Sequence, residues 1–220
     1  MDYEELNILY QSRKTLLKIL ASRGYVTTSV EKFGPVEIEA MASAGAPALR
    51  MDLEKSQEAL TAAPSPIKKC TVLYTFNRIK NRIASFLGEI FDEDGLVPEA
   101  ERPSTEIIVV TLEPIVEAFH TAALQTLRGR KGRISFFQAH TIVNNPMEHV
   151  LVPRHEPVPS SEHAALLQRL KIRSKENLPL IRFHEDMMAR LLGLLPEDIV
   201  KITRPSPQAG EYETYRVCVP

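Results

Sequence analysis

The stretch Thr105-Glu-Ile-Ile-Val-Val-Thr-Leu112 constrains the fold more than any other part of this 220-residue chain. It is strand-sized and nearly continuous in apolar, β-branched side chains, so it has no polar face to give to water. Such a strand has to lie inside a sheet covered on both faces. The flanking segments supply that cover. Cys70-Thr-Val-Leu-Tyr-Thr-Phe76 reads as a second strand. Ile79, Ile83, Phe86, Leu87 and Ile90 form the apolar face of a helix that Asn77 is placed to cap, and Asp94-Gly95 turns the chain. After the central strand, Pro114 fits the first turn of a helix lined by Ile115, Phe119, Ala122, Ala123 and Leu127. Arg133 to Phe137 reads as a third strand. Strand, helix, strand, helix, strand implies parallel pairing through right-handed crossovers.

Ahead of this core, Leu6, Leu9, Arg13, Leu16, Leu17 and Leu20 fall at helical spacing over residues 4–22, with Gly24 as the stop. Gly34 to Pro66 carries the breakers Gly45-Ala46-Pro47 and Pro64-Ser65-Pro66 and reads mostly as loop, with one short helix near Leu53–Leu60. Asn144-Asn145-Pro146 marks a seam, and the domain boundary is expected near residue 145. Beyond it, Ser161 can cap a helix over Glu162–Leu170 with Ala165, Leu166 and Leu170 inward. A second helix from Glu185 to Leu192 stops at Gly193, and Ile199–Thr203 and Tyr212–Val219 are strands joined across Gln208-Ala209-Gly210.

Charge narrows the function. Lys and Arg number 27 against 28 Asp and Glu, and residues 146–220 hold 10 of each sign, so neither half is basic. A chain that holds nucleic acid alone carries a clear basic excess. The densest basic run, Arg128-Gly-Arg130-Lys131-Gly-Arg133, could neutralise about four phosphates, a salt slope of roughly −3.6, which makes it at most a helper contact. Two cysteines, Cys70 and Cys218, are too few for a disulfide scaffold, so a reducing, intracellular setting is expected. The acidic start is unlike a secretory signal, and no apolar stretch approaches the ~20 residues that span a bilayer.

The residues offer no catalytic machinery. His140, His149, His155 and His163 match no zinc spacing. No glycine-rich phosphate loop is present, and Ser29-x-x-Lys32 and Ser65-x-x-Lys68 lack the partner motifs of the acyl-transfer enzymes. The expectation is therefore no catalytic residue, no metal, no cofactor, no small-molecule substrate and no membrane.

Specific wording appears past the seam. It runs Glu148-His149-Val-Leu-Val152-Pro153-Arg154-His155-Glu156, then Leu178-Pro179-Leu-Ile181, then Gly193-Leu-Leu-Pro-Glu-Asp-Ile-Val200-Lys-Ile-Thr-Arg204. It ends on Ser206-Pro-Gln-Ala209-Gly210-Glu-Tyr212-Glu-Thr-Tyr215-Arg216-Val217. Over about 70 residues this resembles the fifth-subunit family of DNA-directed RNA polymerases, the eukaryotic subunit shared by polymerases I, II and III. The family's archaeal counterpart consists of this domain alone. Arg13-Lys-Thr15 with Leu20-Ala-Ser-Arg23-Gly-Tyr25 is similar to the opening of the eukaryotic subunit's extra N-terminal domain. Gly34–Pro66 departs from the family, the insert around Asp92–Pro103 is long, and the hairpin wording is nearer the archaeal form. A eukaryotic layout with these departures suggests a large DNA virus or a distant protist.

The resemblance implies an N-terminal α/β jaw-like domain with a largely parallel sheet over 1–145. For 146–220 it implies a small α+β docking domain with a four-stranded mixed sheet and short helices. It implies a non-catalytic polymerase subunit that docks on the largest subunit and forms part of the lower jaw near downstream DNA. That DNA would be met only as part of the complex. The docking candidates are Val152, Pro153, His155, Pro179, Gly193, Arg204, Ser206, Ala209, Gly210, Tyr215 and Arg216. Pro114 matches the family's DNA-facing loop, and Arg128, Arg130, Lys131 and Arg133 are added from charge. The setting would be the nucleus for a cellular polymerase, and a virion or the host nucleus or cytoplasm for a viral one. The alternative is a freestanding transcription regulator that binds polymerase transiently.

Overall fold

The computed structural model describes residues 3–62, 65–92, 95–208 and 210–220. They divide into two compact units, residues 1–145 and 146–220.

The first unit opens with α1 (Tyr3–Ser22), whose inward face buries Leu9, Leu16, Leu17, Ile19 and Leu20. Polar side chains on that face find backbone partners, as buried polar groups must. The Arg13 guanidinium donates to the Leu49 carbonyl at 2.8 Å, and the Thr15 hydroxyl to the Val143 carbonyl at 2.9 Å. Gly24 follows with φ +87°, and a Cβ there would stand 2.4 Å from the Cβ of Ala59, so two constraints demand glycine.

Gly34–Pro66 is more ordered than its breakers suggest. It forms α2 (Pro35–Ala44), a 3-10 turn (Ala46–Leu49), β1 (Met51–Glu54) and α3 (Gln57–Ala62). Pro35 sits in the first turn of α2, and Glu37 accepts a bond from the Gly34 N–H at 3.0 Å. Leu53, placed in a helix by its sequence context, is instead a buried strand residue opposite Cys70. Two apolar residues in a four-residue strand are too few to show a period, and pairing decides the outcome. Pro64 and Asp94, read as turn residues, lie outside the described residues.

The core of this unit is β2 (Lys69–Thr75), α4 (Ile83–Phe91), β3 (Thr105–Thr111), α5 (Glu117–Arg128) and β4 (Arg133–Gln138). Sheet order is β1-β2-β3-β4, with β2, β3 and β4 parallel and β1 antiparallel on the edge. Every residue of β3 is buried, Thr105, Glu106 and Thr111 along with its apolar run Ile107–Val110, as expected of a strand covered on both faces. Two helix starts differ from the expectation. Asn77 does not cap α4, because a 3-10 turn (Lys80–Arg82) intervenes and the Glu113 carboxylate takes the Ile79 and Lys80 N–H groups at 2.6 and 3.1 Å. Pro114 precedes α5, whose first residue is Glu117.

A carboxylate sits inside this unit. Glu106, on β3, is 2% exposed. Arg23 reaches it at 2.7 Å, Arg133 at 3.3 Å, and the Tyr25 hydroxyl donates to it at 2.9 Å. Burial alone would raise its pKa; the two guanidinium groups and the hydrogen bonds overcome that and bring it from 4.5 down to about 2.

The second unit contains β5 (Arg154–Val158), α6 (His163–Arg169), β6 (Leu180–Arg182), α7 (Met187–Leu192), β7 (Ile199–Ser206) and β8 (Gly210–Val219). The order is β5-β7-β8-β6, with β6 parallel to β8 and the other pairs antiparallel, a mixed sheet. Leu166 from α6 packs with Leu178, Ile199, Tyr215 and Val217 on one face. Strand alternation sends Val200, Ile202 and Cys218, all buried, to the other, and α7 packs against β5. Helix α6 is shorter than its sequence pattern: Ala165 and Leu170 face solvent, and Ser161 lies in a 3-10 turn (Ser160–Glu162) without capping. Asp186 caps α7 by accepting from the Met188 N–H at 2.8 Å, and Gly193 ends it at φ +71°. The chain is thus an α/β unit with a largely parallel sheet followed by a small α+β unit. Cys70 and Cys218 are both buried thiols.

Glu106→Ala should lower the unfolding free energy of the first unit by about 3–5 kcal/mol, because it leaves two inward cations uncompensated. Urea denaturation would measure it. A depressed carboxylate contributes stability in full above its unfolded value near 4.5 and loses it as pH falls toward 2. Wild type and variant should therefore converge over that window.

Candidate functional site

The docking candidates do not form one cluster. Val152 and Pro153 lead into β5, where His155 pairs with Ile202, and Arg154 pairs with Thr203 one step before Arg204. Ser206 pairs with Gly210 across the β7–β8 hairpin. These six positions therefore share one end of the second unit's sheet. Pro179 and Arg216 belong to the β6 side, where Val217 N–H donates to the Pro179 carbonyl and the Arg216 guanidinium to the Leu180 carbonyl. Gly193 serves as a helix stop, and Ala209 lies outside the described residues.

Tyr215 is the best-connected member. It is 8% exposed; its hydroxyl donates to Glu213 at 2.7 Å and receives the Arg169 guanidinium at 2.5 Å, which also lies 5.6 Å from the ring centroid. Lys201 continues the chain of charge to Glu213 at 3.5 Å and Glu156 at 3.2 Å, and Arg154 closes it on Glu156 at 2.6 Å. Tyr215, Arg169, Glu213, Lys201 and Glu156 edge a groove of about 460 Å³ that Val158 and Leu166 also line. The hydrogen bond from Tyr215 lowers the Glu213 pKa, and burial followed by that same bond raises the Tyr215 phenol. Both directions keep the phenol protonated and the carboxylate ionised at neutral pH. Neither group is poised to move a proton, so the arrangement makes a fixed polar surface and no acid–base pair.

Sequence reasoning does not pick out Arg169, Lys201, Glu156 or Glu213. Glu211, Glu213 and Tyr215 share a two-residue period on β8 that hints at one face, but nothing local connects Arg169 to them. Val150 and Leu151, at 92% and 83% exposed, are also unpredicted. Their position beside Val152 extends the first docking group with an apolar turn.

In the first unit the basic run splits. Arg128 ends α5, Arg130 takes φ +54°, and both are exposed with Lys131. Arg133 turns inward to Glu106 and is 7% exposed, so it is withdrawn from the DNA-proximal set. Its position at a strand's first residue groups it with the loop cations; the buried carboxylate opposite, Glu106 in the β3–β4 register, claims it. Pro114 is exposed past the C-terminal end of β3, whereas Arg128–Lys131 precede the start of β4. With those strands parallel, the two lie at opposite ends of the sheet. Among the described residues, no three His, Cys, Asp or Glu side chains could hold a metal ion, and no helix is long and apolar enough to cross a membrane.

Comparison with known proteins decides the family. Residues 144–218 match the model of the RNA polymerase Rpb5 C-terminal domain. The DNA-directed RNA polymerase subunit Rpo5 of Metallosphaera sedula is 47% identical over 75 residues, 34% of this chain and 88% of that one. The chain belongs to the Rpb5/Rpo5 family of RNA polymerase subunits. The likeness extends beyond the shared domain. The subunit of DNA-directed RNA polymerases I, II and III from Dictyostelium discoideum is 28% identical over 216 residues, covering 98% of this chain and all of that one. The Caenorhabditis elegans counterpart is 28% identical over 215 residues, covering 96% and 95%. As a member of the Rpb5/Rpo5 family, the chain thus carries the Rpo5-like unit behind an N-terminal unit that aligns with the shared eukaryotic subunits.

Tyr215→Phe should cost the second unit about 1 kcal/mol in thermal unfolding, the net worth of a hydrogen bond whose loss leaves Arg169 and Glu213 access to water. The Glu213 pKa, followed by NMR, should rise toward its ordinary value. An unmoved Glu213 pKa would show that the hydroxyl does not hold the carboxylate.

Proposed function

We propose that the chain is a non-catalytic subunit of a multisubunit DNA-directed RNA polymerase, docked through residues 146–220 on the largest subunit. Residues 1–145 would form part of the lower jaw beside downstream DNA. The observation that carries this reading is end-to-end alignment with a subunit shared by three polymerases, combined with 47% identity to an archaeal subunit that is little more than the second unit. Near-neutral charge in both units supports contact with DNA only within an assembly.

The end of the second sheet bearing Val152, Pro153, His155, Arg204, Ser206 and Gly210, with the apolar Val150–Leu151 turn, is the favoured docking face. Exposed aliphatic side chains next to fixed polar groups are what a permanent interface covers. In the jaw reading, Pro114 and the run Arg128–Lys131 mark the two ends of the first sheet as alternative DNA-proximal edges. The setting follows the polymerase: the nucleus for a cellular enzyme, and a virion or the host nucleus or cytoplasm for a viral one.

The full chain and residues 146–220 should each recover the large polymerase subunits in a pull-down, at one copy per complex after purification. Val150→Asp with Leu151→Asp should abolish recovery while leaving the circular dichroism of the unit unchanged. Recovery by the full chain but not by 146–220 would move docking to the first unit. Substoichiometric, salt-labile recovery would favour a transient regulator.

A further inference from the structure

Resting on the reading of residues 1–145 as the DNA-side unit, we infer that Arg78, Lys80 and Arg82 form its phosphate-contacting surface for downstream duplex DNA. The parallel strands β2, β3 and β4 finish together: Thr75, Thr111 and Gln138 are register partners. The chain leaving β2 therefore emerges beside the chain leaving β3, which carries Pro114. Glu113 joins the two, its carboxylate accepting the Ile79 and Lys80 N–H groups. Ile79 is fully buried between Arg78 and Lys80, so the loop is anchored by its apolar residue and the flanking cations are sent outward. Arg78, Lys80 and Arg82 are all exposed, and none makes a side-chain hydrogen bond or ion pair among the described residues. Asn77 and Asn81, also exposed, add amide donors to the same loop.

The other run of exposed cations lies at the opposite end of the sheet. There Arg133 is consumed by Glu106, Lys69 pairs with Glu101 at 3.1 Å, and Glu99 and Glu101 precede β3. Arg128, Arg130 and Lys131 thus share their end with carboxylates. At the Pro114 end Glu113 is taken up by backbone donors, and Glu5 and Glu39 line a recess with Phe76 and Leu112, so what sets this end apart is the loop's place beside Pro114. Unpaired cations on an anchored loop suit a polyanion. From Arg78 to Arg82 the chain spans at most about 14 Å, so the three charges can meet neighbouring phosphates of one duplex. Three phosphates are too few to hold DNA alone, in keeping with the neutral chain.

The test uses assembled polymerase carrying either the wild-type chain or R78S/K80S/R82S, with DNA retention measured between about 50 and 200 mM salt. The variant should assemble normally and flatten the log–log salt slope by about 2.7, so that wild type loses roughly 40-fold more affinity over that range than the variant. R128S/R130S/K131S should leave the slope unchanged, and R78K/R82K should preserve it. If the triple variant assembles poorly, R78S and R82S singly should each flatten the slope by about 0.9. An unchanged slope in a fully assembled variant overturns the inference, as does flattening by the Arg128–Lys131 set instead. Flattening that persists on a template cut before the downstream duplex would assign the loop to RNA or hybrid and overturn it too. Absence of the wild-type chain from purified polymerase would instead refute the underlying subunit reading.

Discussion

The first unit depends on a single buried carboxylate. Glu106 sits near the start of the central strand, and its charge is tolerated only because three side chains from two other segments come to it: Arg23 and Tyr25 from the turn after α1, and Arg133 from the start of β4. Ions withdrawn from water cost several kcal/mol each, so this cluster adds little over apolar filling; its leverage lies in what it forbids. A one-residue slip of β3 would turn Glu106 to the other face and strand all three partners. The cluster therefore fixes where α1 sits on the sheet, the β3–β4 register and the inward turn of a cation that belongs, by sequence, to a surface run.

The same cluster marks the limit of what the sequence discloses. The nearly continuous apolar character of Thr105–Leu112 reveals a central parallel strand without any partner in view, because it depends on one segment alone. The helices from Leu9 to Leu20 and up to Gly193 are legible for the same reason. What is hidden depends on distant partners. β1 exists because β2 offers an open edge, and Glu113 replaces Asn77 as the acceptor for a turn more than thirty residues away. Arg133 looks like a neighbour of Arg130 until Glu106 is placed opposite. For the candidate surfaces, glycine and proline landmarks locate the second unit's hairpin and helix stop, while the Arg169–Tyr215–Glu213–Lys201–Glu156 chain of charge is invisible in sequence because its members come from four separate elements.

Parallel topology also partitions charge. Three loops leave one end of the first sheet and three enter at the other, so residues distant in sequence become neighbours and near ones are separated. Pro114 and Arg128, 14 positions apart, end on opposite edges. Arg78 and Pro114, much further apart in sequence, are joined through Glu113. A neutral unit can in this way gather exposed cations from one short loop, and net charge alone does not describe what it offers a polyanion.

The edge strand β5 has a further consequence. An open edge invites a strand from another chain, and in the second unit that edge reads Arg154-His-Glu-Pro-Val158. Pro157 removes an N–H from the ladder, and Arg154 and Glu156 place charge beside it. Freshly synthesised copies awaiting their partners would thus be discouraged from stacking edge to edge, and association through this unit is left to side chains, which can choose among partners, where bare backbone cannot.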